Sequence, residues 1–268
     1  MKSIRTDLAV ERTAGAPALP GITQETRGTA FSVTEIRIAN DICGAPIGKP
    51  AGRYVTLEAE ALNRNHSRYQ EMAEELAEEL GAFLPGEGCV FVAGLGNRAI
   101  TPDALGPRVA EKVLATRHLQ TALSAEERQY LPDLRPVCVL AGGVLGQTGM
   151  ESAELLEAVC RQVKPEAVVA VDALACAALS RLGTTIQMSD SGISPGSGVA
   201  NHRAELSKRT LGVPVVALGV PTVVDLHTAV QEVYGRRVPE NRPNMMVTPR
   251  DVDLSLIHIS EPTRRTPI

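Results

Sequence analysis

Residues 31–38, FSVTEIRI, alternate apolar and polar positions, which is the period of a strand with one buried face. GKPAGRYVTLEAE (48–60) reads as a turn leading into a second strand of the same kind. Over roughly 66–83 the period lengthens: Met72, Ala73, Leu76, Leu80 and Phe83 fall on one helical face and glutamates on the other, a solvated one. From Cys89 the rhythm becomes strand, loop, helix. CVFVAGL (89–95) is a continuous apolar run, as expected for a central parallel strand covered on both faces. VCVLA (137–141), AVVAVDAL (167–174), TTIQMSD (184–190) and PVVALGV (214–220) are the later strands. Thr101 and Pro102 predict an N-cap and a first helical residue, with the helix running to about Arg117. A second helix is expected over 150–163, and Pro221 is expected to open a third through about Val233.

Strands alternating with helices predict an α/β fold, a doubly wound, mostly parallel sheet flanked by helices, with an N-terminal β-rich arm. Residues 1–30 are polar, punctuated by Gly15, Pro17, Pro20, Gly21 and Gly28, and read as an irregular arm. The α/β domain is expected over 31–253. Residues 254–268 carry Pro262 and Pro267 and no helical apolar period, so they are expected to be a non-native or disordered tail.

Composition narrows the classes. Apolar residues make up 44% of the 268 positions, enough for a sizeable core. The net charge of −4 gives no basic footprint for direct nucleic-acid binding. Aromatics are only 3% and Trp is absent, so stacking platforms for single strands are scarce and the core must rest on Val, Leu, Ile and Ala. Cys43, Cys89, Cys138, Cys160 and Cys176 are odd in number and form no CxxC pair, which fits small apolar residues in a reducing compartment. No run is long enough to span a bilayer, and the N-terminus lacks the apolar core of a signal peptide, so a cytosolic protein is expected.

Ligands of such sheets sit beyond the carboxyl ends of the strands. There the glycine turn Gly94, Gly96, Asn97 precedes a helix and could present N–H groups to an anion. It is no dinucleotide fingerprint, because Ala99 stands at the third glycine position, and no Walker loop, because no GK[ST] follows. Asp103 reads equally as a partner of the helix dipole. Asp172, closing an apolar strand, is costly to bury unpaired and reads as a site carboxylate or as an N-cap. The loop 189–203 carries Ser191, Gly192, Gly196, Ser197 and Gly198, whose N–H and hydroxyl groups could stabilise an oxyanion or simply form a connection. His202, between Asn201 and Arg203, reads better as surface decoration than as a base. No HExxH is present, and neither a metal-ligand set nor a cofactor is indicated.

Several idiosyncratic stretches together resemble the germination protease family: RTDLAVE (5–11), GKPAGRYVTLE (48–58), GLGNRAITPDALGP (94–107), ATRHL (115–119), VDALA (171–175), TIQMSDSGISPGSGVANHR (185–203), LGVPVVALGVPTVVD (211–225) and MVTPRDVD (246–253). The resemblance implies an endopeptidase that degrades small acid-soluble, DNA-coating spore proteins at germination. It implies a tetrameric zymogen that self-processes near its N-terminus, and a fold similar to that of hydrogenase-maturation peptidases. Two catalytic aspartates map onto Asp103 and Asp172, and the self-cleaved bond onto Asp7–Leu8, expected in an extended, accessible segment. Location in the forespore or spore core follows from the same resemblance. The sequence departs from the family in a brief stretch between Val233 and Met245 and again after Asp253. A nickel-dependent maturation-type peptidase and a non-enzymatic sensor of small anions or nucleotides remain as alternatives, separable by metal content and by ligand-induced thermal shift.

Overall fold

The computed structural model describes residues 5–14, 19–62, 67–128, 134–196, 204–236, 238–239 and 241–249. Among the described residues, nine strands form one sheet: β1 Ile22–Arg27, β2 Ser32–Ile38, β3 Gly52–Glu58, β4 Val90–Gly94, β5 Val137–Ala141, β6 Ala167–Cys176, β7 Thr185–Ser189, β8 Val215–Asp225 and β9 Met246–Val247. Their order is β1-β2-β3-β7-β8-β6-β4-β5, with β9 on β8.

The α/β class stands, but parallel pairing is confined to the four neighbours β5, β4, β6 and β8. The remaining pairs are antiparallel, so the sheet is mixed. The cause lies partly in a short link. Segment 177–184 leaves the carboxyl end of β6 and is too short for a crossover, so β7 must run back in the opposite direction.

Both faces of the parallel half are covered. Val90 and Val92 of β4 and Val169 and Val171 of β6 point into one core, against Met72 and Leu80 of the helix Tyr69–Gly81 and Leu105 of the helix Leu105–Lys112. Phe91 and Ala93, with Val168 and Ala170, point into the other, against Leu156 and Cys160 of the helix Ser152–Val163. This alternation is the two-residue period of a strand buried on both sides. Cys160 and Cys176 are buried, whereas Cys43, Cys89 and Cys138 are only partly so.

Four expectations change. Residues 5–14 are not an irregular arm: Ala9–Thr13 is helical, and Leu8, Ala9 and Val10 pack with Ile36, Tyr54, Leu174 and Val224 in a third cluster. Residues 22–27 are strand β1. Pro221 does not open a helix but lies inside β8, which runs on to Asp225 before the helix Leu226–Tyr234. Pro221 is tolerated there because it sits beside a bulge: Leu174 pairs with Pro221 but Ala175 pairs with Val223, leaving Thr222 as the extra residue. Finally, Thr101 is not an N-cap. It begins a 3-10 turn, Thr101–Asp103, and the α-helix behind it ends at Lys112. The tail 254–268 lies outside the described residues.

Candidate active site

The strands end at different heights, and that stagger makes the site. β4 stops at Gly94, opposite Val171, while β6 continues to Cys176. Asp172 therefore does not close its strand. It lies mid-strand, one residue beyond the end of β4, with Gly219 of β8 opposite it on the far side. It is buried, and one carboxylate oxygen accepts the N–H of Ala173 at 2.9 Å.

Asp103 reaches the same edge from the 3-10 turn. Its Oδ2 accepts the N–H of Asn97 at 2.8 Å. Gly96 makes this approach possible. Its φ is +106°, and a Cβ there would overlap the Asp103 carbonyl oxygen and crowd its carboxylate. Gly94 serves packing instead. A Cβ there would strike the Gly106 backbone, so the two glycines let the helix Leu105–Lys112 lie close against β4. The loop 94–97 thus differs from the expected anion cradle. The N–H of Asn97 is given to Asp103, and that of Leu95 to the carbonyl of Val171 at 2.8 Å. The Asn97 side chain accepts from Gln147 at 2.9 Å and from its own loop at Ala99.

Asp103 and Asp172 line one cavity of about 210 Å3, together with Gly96, Thr222, Gly196 and Asp7. A second cavity of about 340 Å3 adjoins it, sharing Asp7, Asp172 and Gly196 and adding Lys49, Tyr54, Gln187, Ser191 and Gly192. Gly94 and Asn97 line neither. Ser197, Gly198, Asn201, His202 and Arg203 lie outside the described residues. Among the described residues, no group of three or more His, Cys, Asp or Glu is placed to hold a metal ion. Nor is any helix there long and apolar enough to cross a membrane.

Asp7 lines both cavities and Leu8 packs into the apolar cluster beside them, contrary to the expected accessible arm. Leu8 is 0% exposed. The Asp7 N–H donates to the Ala175 carbonyl at 2.9 Å, and the Asp7 carboxylate accepts the Ala175 N–H at 2.9 Å. Val171 bonds toward β4, so by alternation Ala175 faces the same side, past the point where β4 has stopped. The N-terminal segment therefore fills the vacant flank of β6. Its backbone is clamped by β7: Gln187 Oε1 accepts the Ala9 N–H at 2.6 Å, and Gln187 Nε2 donates to the Asp7 carbonyl at 2.9 Å. Lys49 Nζ donates to the same carbonyl at 2.6 Å. Further along, buried Glu11 accepts the N–H groups of Ala177 at 2.7 Å and Ala178 at 2.9 Å, and also meets Arg181 and the Thr6 hydroxyl.

Burial pushes the Lys49 ammonium down to about 8. The Asp7 carboxylate opposes that shift and Arg12 adds to it. Burial likewise pushes the Tyr54 phenol up to about 12. Lys49, Gln187, Glu11 and Arg181 were not singled out from the sequence. Lys49 and Gln187 stand in the stretches GKPAGRYVTLE and TIQMSD, but nothing in their local pattern marks them, because their role depends on what the N-terminus brings to them.

A family model described as germination protease matches residues 8–235. A germination protease of Clostridium tetani (strain Massachusetts / E88) is 43% identical over 244 residues, covering 86% of this chain and 73% of that protein. One from Bacillus subtilis (strain 168) is 42% identical over 271 residues, covering 92% and 72%. Among solved structures, the [NiFe] hydrogenase maturation protease HycI from Thermococcus kodakarensis KOD1 aligns with 68% of this chain and 94% of its own at 19% identity and a TM-score of 0.38.

Proposed function

Since the chain belongs to the germination protease family and is an endopeptidase, we propose that it degrades small acid-soluble spore proteins during germination, with Asp103 and Asp172 activating the attacking water. The observation that carries this reading is the shared cavity, in which both carboxylates stand beside Asp7 of a peptide segment already laid along the sheet edge.

One carboxylate takes a proton from water, and the water oxygen adds to the carbonyl carbon of the scissile bond. The carbonyl electron pair moves onto oxygen. When the tetrahedral adduct collapses, the C–N pair leaves with the amine, which takes the proton that the carboxylic acid holds. The backbone N–H groups of Asn97 and Ala173 each hold one carboxylate oxygen and so fix the two groups relative to the bond. Before another protein can be cut, the segment 5–11 must leave the edge of β6. Self-cleavage at Asp7–Leu8 supplies a route, because it separates Asp7 from the residues that follow it. The family resemblance extends to a homotetramer acting in the spore core, and the mass of the full chain in solution tests that assembly.

The deciding experiment incubates the wild type, Asp103→Asn and Asp172→Asn with a small acid-soluble spore protein and weighs the fragments. Each Asn variant keeps the shape of the side chain, so folding should persist while cleavage falls by at least about 100-fold. Near wild-type cleavage by either folded variant overturns the two-aspartate reading.

A further inference from the structure

We infer that Lys49 and Gln187 are catalytic residues that polarise the scissile carbonyl, acting as the paired donors for the oxyanion. This rests on the reading that Asp7–Leu8 is the self-cleaved bond.

The argument is geometric. The Asp7 carbonyl oxygen receives two side-chain donors, Lys49 Nζ at 2.6 Å and Gln187 Nε2 at 2.9 Å, within the range of good hydrogen bonds. Gln187 has no freedom to turn. It is buried in the middle of β7, paired with Thr56 and Gly219, and its Oε1 is engaged by the Ala9 N–H. One side chain thus spans the bond, accepting from the residue two positions after the carbonyl and donating to the carbonyl itself. Lys49 follows Gly48, whose φ of +65° turns the chain at the end of the short 3-10 helix Ala45–Ile47. Its ammonium lies 5.8 Å from the Tyr54 ring centroid. A bond awaiting hydrolysis carries little charge on its carbonyl oxygen. As water adds, the π pair moves to that oxygen, and a fixed cation and a fixed amide N–H then meet a full negative charge. The charge returns to the carbonyl on collapse, so the pair gains and loses no proton. The glycine loops do not fill this role at Leu95 and Asn97, whose N–H groups are taken by Val171 and Asp103.

The same contacts could serve only to dock the segment, and the test must separate the two. In the full chain, self-processing is followed by mass for the wild type, Lys49→Met, Lys49→Arg and Asp103→Asn, with hydrogen exchange at the Asp7 amide measured beside it. That amide bonds to Ala175 and not to Lys49. Lys49→Met should slow cleavage at Asp7–Leu8 by about 100-fold or more while exchange at Asp7 changes far less. If exchange rises by as much as cleavage falls, Lys49 only docks the segment and the inference is overturned. It is overturned too if Lys49→Met cuts at the wild-type rate. The pH profile gives an independent reading that needs no Met variant. The charged groups around Lys49 are Asp7 and Arg12, and the neighbouring Tyr54 phenol, pushed up to about 12, stays neutral over this range. The wild-type rate should therefore fall as pH rises through about 8, where the ammonium is lost. Lys49→Arg should keep its rate there, because guanidinium stays charged. An unchanged alkaline decline in Lys49→Arg overturns the inference. Failure of the parent reading looks different: the wild type is not cut at Asp7–Leu8, or Asp103→Asn still cuts it.

Discussion

Replacing Glu11 with alanine should unlatch the N-terminal segment without unfolding the domain. Glu11 is buried, and its carboxylate accepts two backbone N–H groups, from Ala177 and Ala178, just past the end of β6. A hydrogen bond to a charged group contributes about 1.5–3 kcal/mol, so the two together contribute about 3 kcal/mol at the low end. Arg181 adds little, since it keeps Glu58 at 2.8 Å when Glu11 is gone. Because about 1.4 kcal/mol is a factor of ten in an equilibrium constant, the open segment should become about 100-fold more populated or more. Native-state hydrogen exchange reads this directly. The amides of Asp7 and Ala9 are protected only while the segment is docked, by Ala175 and Gln187 respectively. Their exchange in Glu11→Ala should accelerate by about that factor, whereas the amides of β4, inside the parallel sheet, should not follow. Unchanged exchange at Asp7 and Ala9 would show that the segment is held by its apolar side, Leu8, Ala9 and Val10, and that the carboxylate latch contributes nothing. Equal acceleration in β4 would refute the reasoning differently, by showing that the segment opens only with the whole domain.

Other consequences can be measured. Gly96→Ala must force a Cβ against Asp103 at a φ of +106°, so it should abolish cleavage while lowering the stability of the fold by about 1–3 kcal/mol, seen in urea titration. Because Asp7 already lines the cavity of Asp103 and Asp172 in its own chain, the proposed self-cleavage at Asp7–Leu8 should be first order, with a half-time unchanged when the protein is diluted about 10-fold. A half-time that lengthens on dilution would mean that one molecule cuts another. Lys49 titrates near 8 in the folded chain, below the roughly 10.4 of an unfolded lysine. The unfolded state then binds more protons across that interval, so this group's contribution to stability rises as pH goes from about 8 to about 10.4. Wild-type stability should gain on that of Lys49→Met over the same interval in denaturant titrations, and parallel curves would deny the shift.

Much of the frame was legible in the sequence because β4 and β5 are short, continuous apolar runs. VCVLA and the run 89–95 locate β5 and β4 almost to the residue. What periodicity could not give was direction and length. Nothing in TTIQMSD says that β7 runs antiparallel, and PVVALGV hides a strand that passes through a proline by leaving Thr222 in a bulge. The two aspartates were legible as sheet-edge carboxylates. Yet Asp172 owes its place to the early end of β4, a fact about a neighbour rather than about its own segment. The first thirty residues misled for the same reason. Their Gly and Pro content describes turns, while the burial of Leu8 depends on a flank of β6 that only the assembled sheet leaves vacant.

That vacant flank bears on solubility. An unpaired strand edge is a template for any extended chain, and folded proteins usually cover or charge such edges to avoid sticking to one another. From Asp172 to Cys176, β6 has β8 on one side only; on the other, Asp7 and Thr6 of the same molecule meet its backbone at Ala175, and Glu11 meets the chain just beyond its end at Ala177 and Ala178. The N-terminus thus shields the edge for as long as it stays in place. Were the proposed self-cleavage to remove it, the protease would acquire an edge able to pair with the main chain of other molecules, its own copies included. Under that proposal, colloidal stability and competence to seize a peptide would oppose each other, and the chain could hold the first only until it needed the second.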